Sequence, residues 1–233
     1  MNQSIKKHFP AAETWNEVTI KYLKIMTEEY GFPVDKILYA SCVCADELNY
    51  IATNFNNTFR NGFNLGGLGG LPFSGVTGIQ AYGSHIPDGG AGFIFYASHV
   101  GISRDGTIGS IKRENQTTPT YSCGALNTVL DLMKRDHEFD WTTKSFKIIQ
   151  TQTLELMLNG QKERIFSSTE PVIEAVNIIA NTTKCLLHSF VIENKHFFTG
   201  NKVFLLGGVM INTEHYYENY LEIRDFDIID LTE

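Results

Sequence analysis

The chain is short of positive charge: 19 Lys and Arg stand against 26 Asp and Glu in 233 residues, a formal net charge of −7. A nucleic-acid partner ordinarily leaves a basic face, so none is expected. No apolar run reaches the roughly 20 residues that span a bilayer, so no membrane span is expected either. The basic stretch Met1 to Pro10 has no apolar segment behind it and does not read as a secretory signal. Cytoplasm is the default location, or an organelle if a targeting peptide precedes this sequence. Four cysteines are too few for a disulfide framework. The Cys-x₂-Cys spacing of zinc knuckles is missing, and so is the His-Glu-x-x-His helix that gives a zinc hydrolase its base. Low-complexity tracts and internal repeats are also lacking. Apolar residues, at 42%, are plentiful enough to bury one core, so residues 1–233 read as a single domain.

Periodicity divides that domain into three stretches. An N-terminal helix over about 12–31 puts Trp15, Val18, Tyr22, Ile25 and Met26 on one face, with Gly31 and Pro33 ending it. Residues 36–42 read as a buried parallel-type strand and residues 46–55 as a helix. Glycines crowd residues 62–109. The run from Phe63 to Phe73 is too rich in glycine for a helix or a central strand. It lacks the Lys-Ser/Thr pair of a phosphate loop. Its apolar members, with Phe63, Leu65 and Leu68 among them, suit the wall of a pocket for a small uncharged molecule. A short helix over 79–85 follows, then a second buried strand over 92–97 ending at Ser98-His99. Arg104 to Thr107 reads as a hairpin turn, and Cys123 opens a helix to about Arg135. These central elements together span about 35–130. Beyond Asp140 the texture changes to helices over 145–158 and 171–191 and a strand over 202–211. An alternating segment over 216–231 suits an exposed or dimer-edge strand. This order of elements is that of an α/β fold.

The run Cys42-Val43-Cys44-Ala45-Asp46-Glu47 lies where the first strand hands over to a helix, a favoured place for a site in such folds. Cys44, His99 and Cys123 all fall at predicted strand or helix ends. No fourth Cys or His lies at a short spacing to any of them, which suits an open, catalytic zinc site rather than a closed structural one. The competing reading makes the cysteines small buried hydrophobes and His99 a strand-end cap. Cys42 and Cys44 are expected to face opposite ways, one into the core and the other into a cleft. Cys42 and Cys185 are assigned to the core. His85 reads first as a helix C-terminal histidine and second as a proton relay.

Six separated motifs occur in one order. They are Cys44-Ala45-Asp46-Glu47-Leu48-Asn49, Phe63-Asn64-Leu65-Gly66-Gly67 through Pro72-Phe73-Ser74-Gly75-Val76-Thr77, and His85-Ile86-Pro87-Asp88-Gly89-Gly90. Ser98-His99-Val100-Gly101, Gly106-Thr107-Ile108-Gly109 and Ser122-Cys123-Gly124-Ala125 complete the set. In them the chain resembles the limiting-CO₂-inducible protein B family of algae, diatoms and some microbes, a divergent branch of the β-carbonic anhydrases. The resemblance is dense over about 35–130 and loose in the C-terminal third.

It implies an α/β fold with a central, mainly parallel sheet flanked by helices, a homodimer, and Zn²⁺ held by Cys44, His99 and Cys123. It also implies reversible hydration of CO₂ to bicarbonate by zinc-bound hydroxide, oriented by an Asp–Arg dyad, within a CO₂-concentrating mechanism. Asp46 takes the dyad aspartate's place. The arginine that conventional members carry two residues later is Leu48 here, so Arg60 is assigned to the dyad, with Arg104 as the fallback. Phe63, Leu65, Gly66, Gly67 and Leu68 would form the substrate pocket, with His85 or Tyr82 relaying the proton. The alternative is a weakly active or inactive zinc-containing subunit that binds inorganic carbon or serves as a scaffold.

Overall fold

The computed structural model describes residues 2–59, 62–135, 145–214 and 218–232. A helix absent from the sequence reading, α1 (Asn2–His8), precedes a two-residue strand, β1 (Glu13–Thr14), and α2 (Trp15–Lys24). The N-terminus of α2 is closed by a capping box. Thr14 Oγ1 accepts from Glu17 N at 3.3 Å, and Glu17 Oε2 accepts from Thr14 N at 2.9 Å. The helix runs on as a π turn, Ile25–Glu29, and Gly31 at φ +74° ends it as expected.

The rest of the chain is β2 (Ile37–Val43), α3 (Thr53–Phe59), β3 (Phe63–Asn64), α4 (Gly75–Ser84), β4 (Ala91–Gly101) and the pair β5 (Ser110–Ile111) and β6 (Thr120–Tyr121). These are followed by α5 (Gly124–Lys134), α6 (Ile149–Asn159), α7 (Lys162–Ser167), α8 (Pro171–Glu193), β7 (Lys202–Asn212) and β8 (Tyr220–Asp230). Residue 216, where the alternating segment was expected to start, lies outside the described residues.

Six strands form one sheet in the order β1-β8-β7-β4-β2-β3. The ladders β3–β2, β2–β4 and β4–β7 are parallel; β8 runs antiparallel to β7 and to β1. All of β4 is buried, as a central parallel strand covered on both faces must be. One face carries an aromatic core in which Trp15 and Phe55 pack against Tyr39, Phe93 and Phe95. On the other face Cys42, Ile94, Tyr96 and Leu205 pack under Ile79 and Tyr82 of α4 and Leu187 and Val191 of α8. A third cluster joins Cys44, Val100 and Cys123 to α5, α6 and α8.

By length and composition α8 could cross a membrane, yet its buried stripe, including Val176, Ile179, Thr183 and Leu187, packs against β4 and β7. Cys185 corrects the sequence reading: it is exposed. With Thr183 and Leu187 turned inward at an i, i+4 spacing, the residue midway between them falls on the far side of the helix.

The glycine-rich loop does lay its backbone against something close, namely the protein's own strands. A Cβ on Gly66 would stand 2.3 Å from Val43 O, and one on Gly70 2.6 Å from Ala97 O. Gly70 also sits at φ +88°, in the left-handed region. Gly70→Ala should therefore cost about 2–5 kcal/mol, the sum of the left-handed backbone and overpacking penalties. Gly75→Ala, at φ +59° with nothing within 4 Å of the added methyl, should cost only about 1–2 kcal/mol. Urea denaturation of the two variants checks the difference; equal losses would remove the close-approach argument.

Candidate metal centre

Three chain segments end at one point on the carboxyl edge of the parallel strands. Cys44 follows the last residue of β2, His99 sits two residues before the end of β4, and Cys123 caps the N-terminus of α5. Their donor atoms all lie within 4.8 Å of one another, and the side chains are 4%, 1% and 1% exposed. The two sulfurs are 4.0 Å apart. Sulfurs bound to one tetrahedral zinc at about 2.3 Å each stand about 3.8 Å apart, so the spacing fits the ion.

The imidazole fits as well. Asn212, the last residue of β7, donates its amide N–H to Leu48 O at 3.3 Å, leaving its Oδ1 toward His99 Nδ1 at 2.8 Å. His99 Nδ1 must then be the donor, and Nε2 presents its lone pair. That atom is buried with no hydrogen-bond partner among the described residues. A histidine so oriented by its other nitrogen is the usual arrangement at a metal.

Cys123 is held at φ +64°, a left-handed conformation uncommon for a residue with a side chain. Cys42 and Cys44 both face the glycine loop, against expectation: Cys42 Sγ donates to Gly70 O, and Gly69 N donates to Cys44 Sγ, each at 3.3 Å. Residues two apart on a strand share a side. They are separated along the strand, Cys42 in the core and Cys44 at its end.

The hydrogen bond from Cys123 pulls the Cys44 thiol down to about 4; burial opposes this, while His99, when protonated, assists it. The Cys123 thiol is pushed up by that same bond, by burial and by the Cys44 charge. Burial presses His99 down, but its contacts with Cys44, Asn212 and Asp46 outweigh that and raise it. The ionised Cys44 sulfur supplies the negative charge that a cation would meet among the three groups.

Beside them Asp46 collects four N–H contacts. Its Oδ1 accepts from Leu48 N at 3.1 Å and Arg113 Nη2 at 3.3 Å; its Oδ2 accepts from Cys123 N at 3.2 Å and Arg113 Nη2 at 3.4 Å. Burial pushes this carboxyl up, but the charges of His99 and Arg113 and the bond from Leu48 N bring it down, below its ordinary value. Arg113 lies on the β5–β6 hairpin and also binds Glu47, Thr120 Oγ1 at 2.5 Å and Tyr121 O at 2.9 Å.

Arg113 is the guanidinium that the sequence reading missed. Arg60 lies outside the described residues. Arg104, the fallback, lines a separate cleft of about 420 Å³ with Ser103, Thr107 and Glu214 and makes no described bond to Asp46.

An open cleft of about 300 Å³ reaches Cys44 and Asp46, walled by Ser41, Asn49, Asn56 and Asn64. It is amide-lined. None of Phe63, Leu65, Gly66, Gly67 and Leu68 lines it. Leu65 is in the core, Phe63 packs on Tyr82 and His85, and Gly67 and Leu68 lie against Gln150.

Neither expected relay stands near the centre. Tyr82 is buried with its hydroxyl on Leu38 O, about 20 Å of strand from Cys44. His85 is the exposed C-cap of α4, its Nδ1 2.5 Å from Ala81 O, which agrees with the helix-end reading.

A mainly parallel sheet that gathers two thiols, an imidazole and a restrained carboxylate at its carboxyl edge defines the class: a β-carbonic-anhydrase-like protein with a candidate Cys-His-Cys metal site. Residues 14–230 match the family described as limiting CO2-inducible proteins B/C beta carbonic anhydrases, and the chain belongs to that family. Its structure is similar to the crystal structure of PtLCIB4, a homologue of the limiting CO2-inducible protein LCIB. There the identity is 25%, with 100% of this chain and 97% of that chain covered at a TM-score of 0.90. LCIB itself shares the fold at 18% identity, with 97% and 96% covered and a TM-score of 0.67. A Coccomyxa beta-carbonic anhydrase in complex with acetazolamide is a remote match, at 12% identity, 84% and 76% coverage and a TM-score of 0.45. A search of curated proteins returned no match.

Asn212→Leu removes the acceptor that orients His99 and should weaken zinc binding about 10–100-fold. Competition with a chromophoric chelator measures it, and an unchanged affinity would refute the orienting role.

Proposed function

We propose that this chain is a zinc-dependent carbonic anhydrase that interconverts CO₂ and bicarbonate. The observation that carries the proposal is the convergence of the Cys44, His99 and Cys123 donor atoms within 4.8 Å, with His99 Nε2 unpartnered among the described residues, beside a carboxylate held by arginine. Cys44, His99 and Cys123 would hold the ion, which as a Lewis acid makes hydroxide accessible near neutral pH.

Asp46 stays ionised and is tied back by four contacts from three nitrogens, which keeps it from closing the site as a further ligand. The Arg113 contacts, at 3.3 and 3.4 Å, are the longest of the four and so the cheapest to exchange. Giving up one frees a lone pair for the O–H of the attacking group and aims that group at the CO₂ carbon. Arg113 itself is spent on Asp46, Glu47, Thr120 and Tyr121, so it positions the carboxylate rather than gripping substrate. The amide-lined cleft admits small neutral or singly charged species without trapping them. A homodimer is the assembly of this reading.

A second reading, a zinc-holding subunit that binds inorganic carbon or acts as a scaffold, draws support from the fully engaged Asp46 and from ligands that are almost sealed from solvent. Stopped-flow CO₂ hydration on metal-analysed protein separates the two. The expected result is hydration with zinc bound, loss of zinc in Cys44→Ser and Cys123→Ser, and about 100-fold slower hydration in Arg113→Ala with zinc retained. Stoichiometric zinc with no hydration would favour the subunit reading. A dead Arg60→Ala beside an unaffected Arg113→Ala would return the dyad to Arg60.

A further inference from the structure

The cleft holds one acceptor that the fold leaves unused. Asn49 is 3% exposed and forms part of the cleft wall with Cys44 and Asp46. Its Nδ2 donates to Cys44 O at 3.2 Å, which fixes the amide plane and leaves Oδ1 as the free end. That oxygen is buried with no hydrogen-bond partner among the described residues. An unmet buried acceptor is a standing cost to the fold, and each such atom calls for an account.

The neighbouring acceptors and donors are already spent. Both Asp46 oxygens are already engaged, by three N–H donors from Leu48, Cys123 and Arg113. The Arg113 guanidinium is turned to protein acceptors on every side. Asn49 Oδ1 is therefore the acceptor that a ligand O–H meets without any protein bond being exchanged, whereas Asp46 must first give up a contact with Arg113.

We propose that Asn49 Oδ1 accepts the O–H of bound bicarbonate and so is a specificity-determining contact for the hydrated form of inorganic carbon. CO₂ has no hydrogen to donate and gains nothing from it. Bicarbonate gains a hydrogen bond from its O–H to a buried amide oxygen. This inference rests on the carbonic anhydrase reading of the site, and its test separates the two.

Nitrate supplies the contrast, being a planar monoanion of bicarbonate's size and shape without the O–H. Equilibrium dialysis of radiolabelled bicarbonate against the zinc-loaded protein, with nitrate as competitor, measures both affinities. Wild type should hold bicarbonate about tenfold tighter than nitrate. Asn49→Leu should weaken bicarbonate about tenfold and leave nitrate within about twofold. Asn49→Ser, smaller and still polar, should fold if the leucine variant does not, and should show the same selective loss because its hydroxyl stops short of the amide oxygen's position. Equal weakening of both anions would mark Asn49 as a structural support of Cys44 and overturn the proposal. So would bicarbonate binding that neither variant changes, with the carbonic anhydrase reading left standing. A wild type that takes up zinc but neither binds bicarbonate nor hydrates CO₂ would sink both.

Discussion

The centre depends on one half-buried carboxylate. Asp46 draws N–H donors from the turn after β2, from a hairpin and from the N-terminus of α5. These segments have no reason of their own to meet: the first ends a strand, the second is an exposed ribbon, and the third begins a helix. A charge removed from water needs partners, and satisfying this one pulls all three together. Two of the three metal-ligand candidates, Cys44 and Cys123, lie on the segments so joined. The bond from Cys123 N also spans the residue held in left-handed backbone, so the same carboxylate helps to fix that conformation.

The sheet supplies the rest. Parallel pairing of β2, β4 and β7 brings their carboxyl ends to one edge, where Cys44, His99 and Asn212 follow or close their strands. The glycines let the loop from Phe63 to Phe73 lie directly on β2 and β4, so that Gly69 N reaches the Cys44 sulfur. A loop with side chains at Gly66 and Gly70 would stand too far off to make that contact. The chemistry at the edge and the packing beneath it share a single cause.

Some of this was readable from residue type and spacing. Cysteine and histidine are rare here, and their placement at strand and helix ends marked Cys44, His99 and Cys123 as a group. Helix α2 was legible from its apolar period and its stop at Gly31. Other readings failed for physical reasons. The apolar residues between Phe63 and Phe73 resembled a pocket wall because apolar side chains line pockets and cores alike. Leu65 went to the core, while the cleft took the intervening Asn64. Cys185 lies in an apolar stretch, yet the turn of α8 that buries Thr183 and Leu187 carries it outward. Arg113 left no local sign, being 67 residues from Asp46 on a hairpin whose two strands are two residues each.

The amino-acid order by itself determined the longer helices and strands, the apolar faces they bury and the chemical kind of the candidate ligands, because those follow from period, propensity and side-chain type within a few residues. Only the folded chain decided which arginine meets the carboxylate, which nitrogen of His99 is free and what lines the cleft. Those are distances between segments far apart in sequence, set by strand register and by the need to satisfy a half-buried charge.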